Sequence, residues 1–288
     1  RAPLEDAMRS SIRQRFIFLE QRIYWEGQLN RADLVDQFAI SIPQASADIT
    51  RYMEYAPGNI DYDKSLKVYV PTQAFEPVFM QPDARKYLTQ LLLMADEALA
   101  PEESWLGVVP RHDAIARVRR KLDAATLRPI VLAIHKRNAI QVSYQSMSSP
   151  EPQLRWIAPH ALAFDGARWH ARSWCYNKSM FSDFVLARIR SISGEKASSV
   201  DSSLDGEWRE HVSLRLGPHP GLSPAQRQAI ELDYGMENGS ISISMRLCLT
   251  YYFERQLGLD LPDDVLSPVR KQVVLLNRDE VEALRNAL

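Results

Sequence analysis

Seven residues between positions 144 and 190 carry side chains suited to gripping an anion: Tyr144, Arg155, His160, His170, Arg172, Arg188 and Arg190. Guanidinium forks match pairs of phosphate oxygens, imidazoles add hydrogen bonds, and aromatic rings stack on bases. The run Trp169-His170-Ala171-Arg172-Ser173-Trp174-Cys175 alternates as a strand does. One face holds Trp169, Ala171, Ser173 and Cys175, and the other His170, Arg172 and Trp174; with the first as core, His170 and Arg172 stand on the open face. Read as one strand, 183–192 puts Arg188 and Arg190 side by side. The plainer alternative stays open: arginines spent in surface salt bridges and histidines at the edge of a core.

A second set of residues could read DNA. Residues 42–55 form a helix whose expected inward side is Ile42, Ala45, Ile49 and Met53. Its outward side is then Gln44, Ala47, Asp48 and Arg51, with Ser46 and Thr50 at the margins. Glutamine pairs with adenine, arginine takes guanine bidentately, and a small residue such as Ala47 can approach a thymine methyl. Ser46 and Thr50 suit phosphates near the helix start. Asp48 is awkward beside phosphate, so it is assigned either to cytosine or to a local pair with Arg51. Lys64 and Lys67 follow on a hairpin and would reach the DNA backbone.

Catalytic constellations are missing. The sequence has no glycine-rich phosphate loop, no His-Glu-x-x-His and no Gly-x-Ser-x-Gly. The acids nearest the basic cluster, Asp165 and Asp183, read as turn and salt-bridge residues rather than as metal ligands for a nuclease. No Cys or His pair has finger-like spacing, so no metal or cofactor is expected, and Cys175 and Cys248 read as reduced core thiols of a cytoplasmic protein.

The elements that must hold these residues can be placed by periodicity. Met8, Ile12, Phe16, Leu19 and Ile23 mark one face of a helix over 8–26, stopped by Gly27. Asn30 with Asp33 opens a short second helix, and Ser41 with Pro43 opens the third. A hairpin around Asp63-Lys64-Ser65 follows, completing a winged helix-turn-helix. Residues 83–99 read as a leucine-rich connector helix, followed by a basic stretch of Arg111, Arg117, Arg119, Arg120 and Lys121. A helix over 126–137, capped by Thr126, precedes four or five short strands that suggest a strongly bent sheet or barrel. Residues 193–206 read as a loop. The last 81 residues, 208–288, show one clear strand, 240–247, with helices at 223–232, 249–257 and 278–287.

The strings Arg155-Trp156-Ile157-Ala158-Pro159-His160-Ala161-Leu162, Asp165-Gly166-Ala167-Arg168-Trp169-His170-Ala171-Arg172 and Asp183-Phe184-Val185-Leu186-Ala187-Arg188-Ile189 resemble a WYL domain. Trp169-His170-Ala171 falls where that family carries its Trp-Tyr-Leu motif. The whole chain resembles bacterial winged-helix WYL regulators, most closely repressors found beside anti-phage defence systems of the BREX and CBASS types. The resemblance implies an α+β multidomain fold: a winged helix-turn-helix at 1–78, a helical connector at 79–125, a WYL domain with an Sm-like β-barrel at 126–195, and a small α/β dimerisation extension at 206–288. It also implies a homodimeric repressor, not an enzyme, on inverted-repeat double-stranded operator DNA, released by a nucleotide or nucleic-acid fragment. An activator or a nucleic-acid sensor of the same fold is the alternative. By motif the pocket residues become Tyr144, His160, His170, Arg172 and Arg188. Ser182 stands where the family often has arginine.

Bulk properties agree with this expectation. The 288 residues are 45% hydrophobic and 25% charged, ordinary values for a soluble globular chain. A net charge of −1 argues against indiscriminate nucleic-acid binding, while leaving room for a locally positive docking face. No apolar run is long enough for a membrane span, and Arg1-Ala2-Pro3-Leu4 lacks a signal-peptide core.

Overall fold

A computed structural model describes residues 10–288, so Met8 of the expected first helix lies outside the described residues. The chain divides into two compact units, one ending at Arg117 and the other beginning at Val118.

The first unit contains α1 (Ser10–Glu26), α2 (Arg31–Phe38), α3 (Ile42–Tyr55), β1 (Ile60–Asp63), β2 (Val68–Pro71) and α4 (Ala84–Ala95). Phe16, Leu19 and Ile23 of α1 bury against Leu34, Ala45, Ile49 and Tyr52, as amphipathic periodicity requires. Asn30 and Asp33 form a reciprocal capping box on α2. Ser41 accepts the Gln44 amide at the start of α3, with Pro43 in its first turn. Ala39 bridges α2 and α3 in the left-handed region, at φ 50°.

The inward face of α3 differs from the expected one. Ala45, Asp48, Ile49 and Tyr52 are buried, whereas Ile42 is 61% exposed and Met53 37%. The rotation is possible because both buried polar groups are satisfied. Arg15 meets Asp48, and Glu20 accepts the Tyr52 hydroxyl at 3.0 Å. Glu20 is fully buried and also accepts the amides of Val78, Phe79 and Met80 at 2.7–2.9 Å, which pins the segment after the hairpin onto α1. Strands β1 and β2 pair antiparallel, and the Asp63 carboxylate accepts the Ser65 and Leu66 amides in the turn. Asp83 caps α4, which leaves Leu88, Leu92 and Leu93 exposed. The basic stretch 111–121 has no regular secondary structure.

The second unit opens with α5 (Ala124–Lys136), and here the cap is Asp123, whose carboxylate accepts the Thr126 amide at 2.7 Å, rather than Thr126 itself. A five-stranded antiparallel sheet follows: β3 (Asn138–Tyr144), β4 (Gln153–Phe164), β5 (Trp169–Cys175), β6 (Met180–Val185) and β7 (Ile189–Ala197), in the order β6-β5-β4-β3-β7. Helix α5 packs Ile130 and Ala133 against Ile140, Val142 and Ile157.

Three expectations about this sheet need correction. The expected strand 183–192 is two strands, broken by a 3-10 turn at Leu186–Arg188. The expected loop from Ser193 instead continues β7 to Ala197, with Gly194 facing Trp156. The sheet also stays open: its end strands β6 and β7 do not pair with each other, so it does not close into the expected Sm-like barrel.

The remainder holds α6 (Gly206–Arg209), β8 (His211–Pro218), α7 (Pro224–Tyr234), β9 (Ile241–Arg246), α8 (Leu247–Gln256), α9 (Pro268–Lys271), β10 (Val273–Leu275) and α10 (Arg278–Asn286). Its sheet runs β10-β8-β9, so the single strand expected here, β9, is an edge strand beside β8, and two further strands complete the sheet. Leu214, Leu216, Leu247, Val273 and Val281 are buried at its core.

Candidate nucleic-acid interface and ligand site

In the first unit Gln44, Ala47, Thr50 and Arg51 are exposed on α3, and Ser46 is half-buried. Thr50 spends its hydroxyl hydrogen on the Ser46 carbonyl at 3.0 Å. Asp48 is not on this surface. It is 2% exposed and accepts Arg15 Nε at 2.6 Å, which ties α3 to α1. The inward turn of Asp48 removes the one carboxylate that would repel phosphate from the middle of the helix face. Its Oδ1 also accepts Gln44 Nε2 at 2.9 Å, so the Gln44 side chain is held by a buried group. Lys64 and Lys67 are exposed at the hairpin tip, with Lys67 at φ 58°. The chemistry available is one amide, one guanidinium, hydroxyls and a small apolar residue on a rigid helix, flanked by two ammonium groups.

In the second unit the expected open face is covered. His170 is 1% and Arg172 3% exposed, because α6 and α8 lie over that side of β5. Arg172 donates from Nε and Nη2 to the two oxygens of Asp205, both at 2.8 Å, in a bidentate fork. Its Nη1 reaches Asp183 at 3.3 Å, and Nη2 also reaches Glu207 at 3.1 Å. His160 Nε2 lies 2.9 Å from Asp205 Oδ2, and the Asp205 carboxylate also accepts the Trp208 amide. His170 Nε2 lies 2.6 Å from Asp165, and its ring lies against Tyr252 at 4.9 Å between centroids. The Tyr252 hydroxyl donates to Asp183 at 2.7 Å.

These contacts set the titration of the groups. Burial pushes the Asp205 carboxyl up, but hydrogen bonds from Arg172 and His160 outweigh it and hold it at about 2. Asp165 is likewise held at about 2, where burial loses to hydrogen bonds from His170 and the Ala167 and Arg168 amides. Burial pushes the Cys248 thiol up to about 12, against the pull of Arg172. A cleft of about 270 Å³ opens beside this network, lined by Arg172, Asp183, Glu207, Cys248, Tyr251, Tyr252 and Arg255.

Tyr144 lies elsewhere, among the core residues under α5. Its ring meets Phe184 edge-on, and its hydroxyl accepts the Val185 amide at 3.1 Å. The Arg155 guanidinium sits 5.9 Å from the Tyr144 ring centroid, with its buried Nε lacking any hydrogen-bond partner. Arg188 is half-buried in the 3-10 turn, and Arg190 is exposed on β7, so the two do not stand side by side on one strand as expected. Ser182 pairs with Ser173 across β5 and β6. His160, His170 and Arg172 are therefore brought together on one face of the sheet, and Tyr144 belongs to the other. Of the partners that sequence reasoning missed, Asp205 lies in the stretch assigned to loop and linker and Glu207 at the start of the C-terminal extension. No local signal marked them, because they lie 33 and 35 residues beyond Arg172.

Family models match three stretches of the chain. The BrxR transcriptional regulator winged helix-turn-helix domain covers residues 11–93. The WYL domain covers 125–193. The BrxR transcriptional regulator C-terminal dimerization domain covers 211–281. Three curated relatives carry the name DNA-binding transcriptional repressor CapW. One from Pseudomonas aeruginosa is 39% identical over 273 residues, covering 94% of this chain and 91% of the relative. One from Escherichia coli (strain KTE188) is 38% identical with the same coverage. One from Stenotrophomonas maltophilia is 37% identical over 270 residues, covering 93% and 90%. With its three domains matched in order and its relatives similar over nearly their full length, the chain belongs to the BrxR family of winged-helix, WYL-domain transcriptional regulators.

Proposed function

We propose that this chain is a DNA-binding transcriptional repressor that sits as a homodimer on an inverted-repeat operator controlling a phage-defence operon. A phosphate-bearing ligand, a nucleotide or a nucleic-acid fragment, binds the central domain and releases the DNA. The observation that carries the DNA-binding part is the exposed stripe of Gln44, Ala47, Thr50 and Arg51 on a helix whose acid is locked inward by Arg15. Arg51 and Gln44 read base edges, Ala47 meets a thymine methyl, Ser46 donates to a phosphate, and Lys64 and Lys67 anchor the backbone, while Thr50 takes a phosphate only by giving up its bond to the Ser46 carbonyl. Similarity to relatives named as repressors supports the direction of regulation. Two half-sites read by one two-fold dimer account for a palindromic operator.

Ligand release requires differential affinity for two arrangements of the protein. Of the residues the family motif points to, His160, His170 and Arg172 share one face of the sheet and are the proposed ligand residues, with His160 and Arg172 held by Asp205. The test is a mobility shift on DNA upstream of this gene, with scrambled duplex as competitor. A discrete complex that survives competition supports the reading, and equal binding to scrambled DNA overturns it. A reporter on the same promoter separates the roles: deleting a repressor raises expression, and deleting an activator lowers it.

A further inference from the structure

Arg172 is buried, yet it is surrounded by more negative charge than it can neutralise. Asp183, Asp205 and Glu207 all lie within 3.3 Å of its guanidinium. Asp205 occupies the bidentate fork, the geometry a phosphate would take. Both Asp205 and Glu207 come from one short piece of chain at α6, and neither belongs to the sheet that carries Arg172.

That piece is fastened to the C-terminal portion. Arg246 of β9 donates to the Trp208 carbonyl at 2.6 Å and lies over the Trp208 ring. The Leu247 amide donates to the Glu210 carbonyl at 2.9 Å. Displacing Asp205 from Arg172 therefore pulls on β9 and α8, not on a free loop.

We propose that Asp205 and Glu207 form a built-in acidic plug that imitates and competes with a phosphate-bearing ligand for Arg172. The inference rests on the reading above that such a ligand binds this domain. With the plug seated, Arg172 and Arg255 face three carboxylates around the cleft; with it withdrawn, they face Asp183 alone. The site changes from net negative to net positive, so an anion enters only as the plug leaves. Ligand binding is thereby tied to displacement of α6 and the strand and helix it is fastened to.

The test uses the full chain and calorimetric titration with three probes: inorganic pyrophosphate, a nucleoside monophosphate and a 5′-phosphorylated single-stranded oligonucleotide. The last two arms separate a free nucleotide from a nucleic-acid end as the source of the phosphate. Asp205→Asn combined with Glu207→Gln should bind pyrophosphate about tenfold more tightly than the unaltered protein, as expected when a minor competent state becomes dominant. Arg172→Lys, which keeps the charge but loses the fork, should abolish that gain. In the unaltered protein, saturating pyrophosphate should speed hydrogen exchange at the Trp208 and Arg209 amides, which donate to Asp205. Glu207→Gln alone is the more conservative variant, because Glu207 is 39% exposed; it should gain about threefold and decides the matter if the double variant does not fold. Unchanged affinity in the folded variants overturns the plug. If a probe still dissolves the operator complex in that case, the ligand-release reading stands without the plug. If no probe binds any of the proteins, both fall.

Discussion

Two buried ion pairs, one in each unit, use the same chemistry in opposite ways. In the first unit Asp48 and Arg15 meet one to one, 33 residues apart on neighbouring helices. The carboxylate is withdrawn from a surface where it would do harm, and the pair is balanced. In the second unit Arg172 is the withdrawn group, and three carboxylates from two segments crowd around it. A balanced pair holds a helix in register. An over-supplied cation has spare partners, so its contacts can be exchanged without leaving a bare buried charge. The first arrangement suits a fixed reading head and the second an element with two states.

Removing the cation of the crowded site should have the largest effect. Arg172→Ala leaves Asp205 buried without its counterion, and denaturant unfolding of the second unit should show a loss of about 3–5 kcal/mol. A loss under 1 kcal/mol would mean that the network is a surface feature, against the observed burial. Asp48→Asn in the balanced pair should cost less, about 1–3 kcal/mol in the unfolding of the first unit, since the amide keeps its shape and one hydrogen bond to Arg15 is lost. Equal losses at the two sites would erase the contrast.

The reading head itself is tested on operator DNA. Arg51→Ala should weaken specific binding by about 1–3 kcal/mol for each half-site and relax the preference for one base pair. Lys64→Ala should weaken binding to all duplexes alike and make it less salt-dependent, the smaller effect in a mobility shift at fixed salt.

Acid provides the mildest probe. Asp165 and Asp205 both titrate at about 2 in the folded chain, below their ordinary 3.8. Between those values the unfolded chain binds more protons than the folded one. Their stabilisation is therefore fully present above about pH 4 and is lost as the pH falls towards 2. Followed by far-ultraviolet circular dichroism, the acid limb of the second unit should be shallower in Asp205→Asn than in the unaltered chain. An identical limb would show that Asp205 does not contribute to it.

Much of the first unit was legible because its signals are local. Asn30 with Asp33, Ser41 with Pro43, and the Gly27 stop (φ 72°) each act within one turn of chain. The face of α3 was legible only in part. Periodicity placed Ala45 and Ile49 correctly, but polarity put Asp48 outside, and only Arg15 on another helix reverses that. Glu20 shows the same limit: a carboxylate on the apolar stripe of α1 makes sense only once the amides of 78–80 arrive.

In the second unit alternation assigned His170 and Arg172 to one face, and β5 bears this out in its register with Ala163, Ala161 and Asp183. Strand periodicity says which side chains share a side, because successive residues point to opposite faces. It carries no information about what covers that side. The cover is Asp205, Glu207 and Tyr252, which lie 33, 35 and 80 residues beyond Arg172. The types of the elements, their caps and the motif that marks the family were written in local sequence. Whether Arg172 is open or occupied was decided by long-range packing, because the free energy of a buried charge depends on partners that only the folded chain brings within hydrogen-bond distance.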